Sequence, residues 1–300
     1  MIREKPYELQ LYELLNKRKM LSNNESKKYR QLQTGYQGEL LFDQYVQHIA
    51  GEYLSIKDLS LSFKQRYFQL DQLLIINNQI YLFEVKNYRG EFAYQKGKLY
   101  KDQATEIDDP LIQLRRSESL LRQLLAEWKM SFSIEAKVVF VHPECTLYLP
   151  SSHPNILLPT QIKSFFRSIS PSSISDPAFY SLVIKLKENR LHQSPYQQLP
   201  SYHFDELKKG ITCKKCGGIT QTRHGRTFIC NKCNNQELII EAIVRNIQEF
   251  QLLFPDDKIT SKRMTEWCGS DVTKRTIQYV LINHFVKKGS HKGTYYINDK

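Results

Sequence analysis

Four cysteines in two close pairs constrain the fold of this 300-residue chain more than any other feature of its sequence. In the stretch CKKCGGITQTRHGRTFICNKC, Cys213 and Cys216 are followed by thirteen residues and then by Cys230 and Cys233. Four thiolates on two tight knuckles give the closed tetrahedral shell of a structural Zn²⁺ ion. The spacing therefore predicts a small zinc ribbon at residues 210–236.

Two other chemistries also use CxxC pairs. Redox-active pairs and iron–sulfur clusters are the alternatives, but redox pairs rarely occur twice and clusters rarely use a compact ribbon. His224 lies between the two pairs, and we expect it at the surface because four thiolates already complete the shell. The isolated Cys145 and Cys268 are expected to be buried or inert thiols.

The charge of the chain is strongly basic. It contains 43 Lys and Arg against 31 Asp and Glu, a net charge of +12. This excess favours a polyanionic partner such as nucleic acid, or an anionic membrane surface, although a basic surface without a partner has the same composition. The start MIREKPYELQ lacks the apolar region of a signal peptide, and no apolar run reaches the length of a membrane span. We therefore expect a soluble, cytoplasmic protein without a membrane partner.

The region 35–192 alternates strands and helices, as is typical of an α/β domain. Strand patterns occur in YLSIKDLSL, YFQLDQLLII and QIYLFEVKNY, and Asn77 and Asn78 predict a hairpin turn between the last two. FAYQKGKLY predicts another hairpin, at Gly97. The clearest helix is DDPLIQLRRSESLLRQLLAEW, which Asp108 or Asp109 can cap. AKVVFV predicts a buried strand, and PTQIKSFFRSI and PAFYSLVIKLKENRL predict two more helices.

The segments that flank this domain have weaker patterns. Residues 1–34 predict a leading helix and a mobile link at SNNESKK, and an amphipathic helix follows at 36–49. The stretch HQSPYQQLPSYHF is rich in proline and glutamine and has no clear period. We therefore expect a linker at residues 193–209.

Three acids and one lysine fall on faces that the patterns predict to be buried. Glu84 and Lys86 share one strand face in YLFEVKNYRG, Asp71 points to an apolar face of its strand, and Glu39 lies on a core-facing helix stripe. An E-x-K triplet alone is more often an exposed ion pair. Buried charges are costly unless they are paired or bind an ion, and oxygen ligands suit Mg²⁺ or Mn²⁺. Glu39, Asp71 and Glu84 therefore predict a divalent-metal site, with Lys86 near a bound water.

The order of these motifs resembles a known family. GYQGELLFDQYV, LDQLLIINNQIYLFEVKNYRGEF and DDPLIQLRRSESLL are similar to the nuclease-related domain (NERD) family of the PD-(D/E)xK, restriction-endonuclease-like superfamily. The similarity covers about residues 35–130, with Leu70 where the superfamily name has Pro. It implies an α/β fold, with a restriction-endonuclease-like core made of a mixed sheet flanked by helices. We accordingly assign residues 35–192 to a nuclease-like domain.

The resemblance also implies roles for individual side chains. Asp71 and Glu84 would hold the metal, and Lys86 would serve the attacking water. Glu39 would be an additional acid from the first helix of the domain. Gln113 stands where such sites often have a helix glutamine, and a solvated helix residue is its alternative reading.

The residues that follow the ribbon, 237–300, have the pattern helix, helix, turn, helix and hairpin. This order resembles a winged helix-turn-helix domain, in which Ser261 would cap a short helix and Thr273 would open the recognition helix. Residues 201–300 hold 17 Lys and Arg against 10 Asp and Glu. A protein-interaction module with a solvated basic face is the alternative. The residues expected to contact nucleic acid are Lys274, Arg275, Gln278, Lys287, Lys288 and Lys292.

These features together predict a Mg²⁺-dependent or Mn²⁺-dependent, endonuclease-type hydrolase that cleaves DNA phosphodiesters. The basic C-terminal region would bring it to DNA, and a structural Zn²⁺ would hold the ribbon. The alternative is a non-catalytic DNA-binding or scaffold protein built on a nuclease-like core. An RNA-directed nuclease is a third possibility.

Overall fold

The computed structural model of the chain describes residues 3–102, 104–169, 174, 176–191, 199–219 and 221–298. The chain forms two compact units. The first unit contains Met1–Lys5 and Arg30–Gln198, and the second contains Pro6–Tyr29 and Leu199–Lys300. Residues 193–198 of the predicted linker lie outside the described residues, and residues 199–209 belong to the second unit.

The helices and strands follow the predicted alternation closely. The described α-helices are α1 (Tyr7–Arg18), α2 (Asn23–Gln47), α3 (Pro110–Glu127), α4 (Ile162–Ser168), α5 (Ala178–Glu188), α6 (Ile239–Leu253), α7 (Ser261–Cys268) and α8 (Lys274–His284). The described strands are β1 (Leu54–Phe63), β2 (Arg66–Ile76), β3 (Gln79–Lys86), β4 (Gly90–Gln95), β5 (Lys98–Lys101), β6 (Thr105–Ile107), β7 (Ile134–Phe140), β8 (Cys145–Tyr148), β9 (Ile156–Leu157), β10 (Gln221–His224), β11 (Thr227–Cys230), β12 (Gln236–Leu238), β13 (Val286–Lys288) and β14 (Tyr295–Ile297). None of the described helices combines the length and apolar character needed to cross a bilayer.

A five-stranded mixed sheet forms the centre of the first unit, in the order β1-β2-β3-β7-β9. Strands β1, β2 and β3 are antiparallel neighbours, whereas β7 and β9 join in parallel. Helices α3 and α5 cover one face in a core that includes Leu73 and Leu82, and α2 and α4 cover the other face with Leu74 and Phe83. Because strand side chains alternate between the two faces of a sheet, the central strands have buried side chains on both faces. The predicted mixed sheet flanked by helices is confirmed.

Two predicted hairpin turns are confirmed by their backbone angles. Asn77 and Asn78 have φ values of 52° and 57° between β2 and β3, the left-handed conformation that a two-residue hairpin loop requires. Lys96 and Gly97, between β4 and β5, also have positive φ values. These two strands belong to a four-stranded sheet with the order β6-β5-β4-β8.

Asp109 caps helix α3, and it is one of the two residues that the sequence offered for this role. Its carboxylate accepts from the Leu111 N–H at 2.9 Å and from the Tyr94 hydroxyl at 2.5 Å. Pro110 follows at the first helical position, where its missing N–H costs no hydrogen bond. The start of α3 is therefore fixed, and with it the position of Gln113 on the first turn.

The second unit packs α1, α6, α7 and α8 around one apolar core. Trp267 is fully buried there and donates from its indole N–H to the carbonyl oxygen of Asn246 at 2.8 Å. The Arg18 guanidinium lies 3.7 Å from the centre of the Trp267 ring. Strands β10, β11 and β12 form a three-stranded antiparallel sheet, and β13 pairs with β14 in the predicted terminal hairpin. The order of α6, α7, α8 and this hairpin is winged-helix-like.

The predicted mobile link at SNNESKK is wrong, because α2 already begins at Asn23 and continues through Gly35. Ser22 and Glu25 form a capping box: the Glu25 N–H donates to the Ser22 hydroxyl at 3.3 Å, and the Ser22 N–H donates to the Glu25 carboxylate at 2.7 Å. This reciprocal pair satisfies two N–H groups at the helix start.

The caps of α7 and α8 and the placement of residues 1–34 can each be compared with a prediction. Thr260 caps α7 in place of the predicted Ser261, since the Thr260 hydroxyl accepts from the Arg263 N–H at 3.2 Å. Residues 1–34 do not form a unit of their own, because Pro6–Tyr29 group with the C-terminal third. The prediction that Thr273 opens α8 is confirmed: it precedes the first helical residue, Lys274, and its hydroxyl accepts from the Thr276 N–H.

Candidate active site

Asp71 and Glu84 meet where the pairing of β2 and β3 ends. The register places Gln72 opposite Phe83, so Asp71 would face Glu84 at the next position. Near this point the Val85 N–H donates to the Asp71 carboxylate at 2.8 Å. The end of this strand pair therefore carries two carboxylates, and Glu84 shares its strand face with Leu82, which lies in the core that α3 covers.

Lys86 completes this group from the last position of β3. Its Nζ lies 2.6 Å from Oε1 of Glu84, whose residue surface is only 3% exposed. The same ammonium donates to the side-chain oxygen of Gln113 on α3 at 3.1 Å. The structure thus brings together four of the predicted site residues: Asp71, Glu84, Lys86 and Gln113.

The pKa values of this group reflect crowded negative charge. Burial raises the pKa of Glu84 to about 8, and the charge of Asp71 adds to the increase. Burial also raises the pKa of Asp71, although the Val85 N–H and Lys86 act in the opposite direction. Burial by itself lowers the pKa of Lys86, but its ion pair with Glu84 outweighs burial and raises it. A bound cation would relieve the repulsion between the two carboxylates.

Glu39 comes from α2, and a close approach of this helix to the end of β3 sets its position. A Cβ atom on Gly38 would lie 2.5 Å from the Cβ of Asn87, so a larger residue would push the helix away. The Asn87 side chain also donates to the Thr34 carbonyl oxygen at 2.8 Å. Burial raises the pKa of Glu39 to about 8, the charge of Asp71 adds to the increase, and Arg3 opposes it.

An ion pair with Arg3 holds the Glu39 carboxylate. Oε2 of Glu39 lies 2.9 Å from Nη1 of Arg3, which also pairs with Asp43. The sequence patterns missed Arg3 and Asp43, because the contacts join positions 36 or more residues apart. The one available signal was the requirement that a core-facing Glu39 have a partner.

The acidic residues fit a hard divalent cation as a pair rather than as a compact trio. In the described part of the chain, no three Asp or Glu side chains have ligand oxygens that all lie within 4.8 Å of one another. Mg²⁺ is commonly held by one or two carboxylates and keeps several waters for contact with substrate phosphates. Asp71 and Glu84 match this donor set.

A cavity of about 600 Å³ adjoins Lys86 and Gln113. Its lining includes the aromatic side chains of Tyr67 and Tyr88 and the guanidinium of Arg116. The lysine is thus reached from a concave surface that carries both aromatic and cationic groups.

Comparison with known families agrees with this geometry. Residues 34–141 match the family model described as the nuclease-related domain, NERD. The chain contains a nuclease-related domain. No curated protein and no solved structure matches the chain. The matched range includes the five predicted site residues of the nuclease-related domain, whereas Arg3, the four paired cysteines and the C-terminal helices lie outside it.

The four paired cysteines form a separate cluster that is compatible with structural zinc. The sulfur atoms of Cys213 and Cys233 lie 3.6 Å apart, and those of Cys216 and Cys230 lie 3.5 Å apart. All four sulfurs fall within 4.8 Å of one another. Zn–S bonds of about 2.3 Å in a tetrahedron place the sulfurs about 3.8 Å apart, so the cluster fits the ion.

The predicted nucleic-acid residues lie on exposed surfaces of the second unit. On α8, Lys274, Arg275 and Gln278 are exposed, and Lys287 and Lys288 are exposed on β13. The side chain of Lys292 lies outside the described residues. Buried Ile277, Val280 and Leu281 form the opposite side of α8 and pack into the core. The polar side of the helix is therefore available to a partner.

Proposed function

We propose that the protein is a metal-dependent nuclease that hydrolyses DNA phosphodiester bonds at Asp71, Glu84 and Lys86. The observation that carries the proposal is the 2.6 Å ion pair of Lys86 with Glu84, next to an Asp71 carboxylate that accepts at 2.8 Å from the N–H of Val85, the residue between them. The match of residues 34–141 to the nuclease-related domain supports it.

Asp71 and Glu84 would hold a Mg²⁺ ion, with Glu39 as an additional acid. When bound, such an ion stabilises charge on a phosphoryl oxygen and makes a bound water more acidic. The Val85 N–H keeps the Asp71 carboxylate in place. Gln113 holds the Lys86 ammonium, which orients the attacking water and offsets the charge that develops on the phosphate.

The second unit supplies DNA binding in this proposal. Lys274, Arg275, Lys287 and Lys288 are exposed cations on α8 and β13, and Gln278 lies on the same helix. Cations that contact phosphates position a protein on DNA and provide most of its sequence-independent affinity. Zn²⁺ on the four paired cysteines would stabilise the ribbon and take no part in cleavage.

The test is incubation of the purified protein with supercoiled plasmid, linear duplex, single-stranded DNA and RNA of matched sequence, each with Mg²⁺ and with a chelator. The proposal expects Mg²⁺-dependent cleavage of at least one DNA substrate. DNA binding without cleavage under every condition would support the non-catalytic alternative. Cleavage confined to RNA would reassign the substrate.

A further inference from the structure

Arg3 is buried, and it contacts two acidic residues that lie far from it in the sequence. Its residue surface is only 4% exposed. Its Nε lies 3.0 Å from Oδ2 of Asp43, and its Nη1 lies 2.9 Å from Oε2 of Glu39. Its Nη2 donates to Oδ1 of Asp43 at 3.2 Å and to the side-chain oxygen of Gln72 at 2.8 Å.

The same guanidinium also holds the main chain of Asp71. Both Nη1 and Nη2 lie 3.2 Å from the Asp71 carbonyl oxygen. Asp71 is consequently held at two points, with its carbonyl oxygen bound by Arg3 and its carboxylate bound by the Val85 N–H. Arg3 therefore connects two acids of α2 to the strand that carries a proposed metal ligand.

We propose that Arg3 is a positioning residue for the metal site, because its guanidinium fixes the Asp71 main chain and the Glu39 carboxylate in one arrangement. This inference rests on the proposed function of Asp71 and Glu84. The nuclease-related match begins at residue 34, so the inference adds to the site a residue from outside the matched range.

The shape of the guanidinium, and not its charge alone, explains this role. Five N–H donors in a planar fork can reach a carbonyl and two carboxylates at once, whereas an ammonium is a compact point charge. Lys57 already supplies a second cation to Asp43, at 3.0 Å. A lysine at position 3 would keep the charge, but three donors on one nitrogen could not reproduce all the contacts that the fork makes with Asp71, Glu39 and Asp43.

The test uses the full-length variants Arg3→Lys and Arg3→Gln. Arg122→Lys is the matched control, because Arg122 also binds a carboxylate and a main-chain carbonyl, those of Glu118 and Ile134. Three quantities are measured: the Mg²⁺ concentration for half-maximal thermal stabilisation, the hydrogen-exchange rate of the Val85 amide, and DNA cleavage. The first two do not depend on activity.

Both Arg3 variants are expected to raise the half-maximal Mg²⁺ concentration by roughly 10-fold to 100-fold, the usual effect of removing a group that orients a metal ligand. Exchange at Val85 should accelerate, and cleavage should fall. Arg122→Lys should match the wild type in all three. Wild-type Mg²⁺ binding and Val85 exchange in Arg3→Lys would overturn the positioning role and leave charge as the only contribution.

A second variant keeps the inference testable if the Arg3 variants do not fold. Gln72→Met removes one acceptor of Arg3 and leaves both ion pairs, so a several-fold rise in the Mg²⁺ requirement is expected. Its control is Ser55→Ala, since the Gln72 amide also donates to the Ser55 hydroxyl at 2.8 Å. Equal Mg²⁺ requirements in these two variants would overturn the inference. Absence of cleavage in the wild type would instead reject the proposed function.

Discussion

The main-chain N–H of Val85 donates to the carboxylate of Asp71 at 2.8 Å, just beyond Gln72 and Phe83, the last paired residues of β2 and β3. A side-chain oxygen thus satisfies a buried main-chain N–H where the registered pairing of the two strands has ended. Glu84 and Lys86 project from the same strand end. The acidic pair is therefore a consequence of how this hairpin ends.

The metal-free protein should lose stability as the pH rises. The pKa of Glu84 is about 8 in the folded chain against an ordinary value of 4.5, so the folded state binds the proton more tightly. Stability contributed by the protonated form is complete below about pH 4.5 and is lost as the pH approaches 8. The slope contributed by one such group is at most about 1.4 kcal/mol per pH unit.

The measurement is chemical denaturation between pH 5 and pH 8.5, in the presence of a chelator. Glu84→Gln should reduce the loss of stability across this range, and Mg²⁺ should restore stability at pH 8 in the wild type more than in Glu84→Gln. The control is Glu188→Gln, on the exposed side of α5. A wild-type slope in Glu84→Gln would contradict the assigned cause.

The cysteine cluster should hold one Zn²⁺ per chain. Elemental analysis of purified protein is expected to give a zinc ratio near one, and the double variant Cys213→Ser with Cys230→Ser should contain none. Cys145→Ser with Cys268→Ser is the control and should keep the metal. Zinc-free wild type, or zinc retained by the first double variant, would refute the site.

The basic surface of α8 and β13 should determine the salt dependence of DNA binding. Replacing Lys274, Arg275, Lys287 and Lys288 with Gln should reduce the slope of log affinity against log salt by about 0.9 for each phosphate that is no longer neutralised. Substitution is preferable to truncation of the C-terminal region, because Met264 and Trp267 are completely buried in the core of the second unit.

The salt titration has a control of equal charge. Gln substitutions at four exposed lysines of the first unit, Lys64, Lys129, Lys163 and Lys187, remove the same charge elsewhere. We expect a smaller change in slope from this set than from the set on α8 and β13. Equal slopes in the two variants would favour a protein-interaction role for the C-terminal surface.

Local patterns predicted the parts of the site that depend on neighbouring residues. Strand alternation placed Glu84 and Lys86 on one face, and the cap at Asp109 fixed the turn of α3 that carries Gln113. The polar composition of SNNESKK favours a link, whereas its Ser22 and Glu25 form a capping box that starts a helix.

Long-range packing accounts for what the sequence did not reveal. Arg3 contacts Gln72 across 69 positions, and no local period indicates such a pair. Helix α1 shares a core with α6, although their residues are more than 200 positions apart. Contacts of this kind depend on which surfaces remain free once the local elements have formed.

The roles of Glu84 and Lys86 are tested by the rate of Mg²⁺-dependent cleavage of plasmid DNA by the wild type, Glu84→Gln and Lys86→Met, each measured at saturating DNA. Lys187→Met, on the exposed side of α5, is the matched control. We predict that the rates of both site variants fall by at least about 100-fold, as expected for groups that stabilise developing charge, while the control stays near the wild type. Cleavage at the wild-type rate by either site variant, with its fold intact, would contradict the assignment of this site.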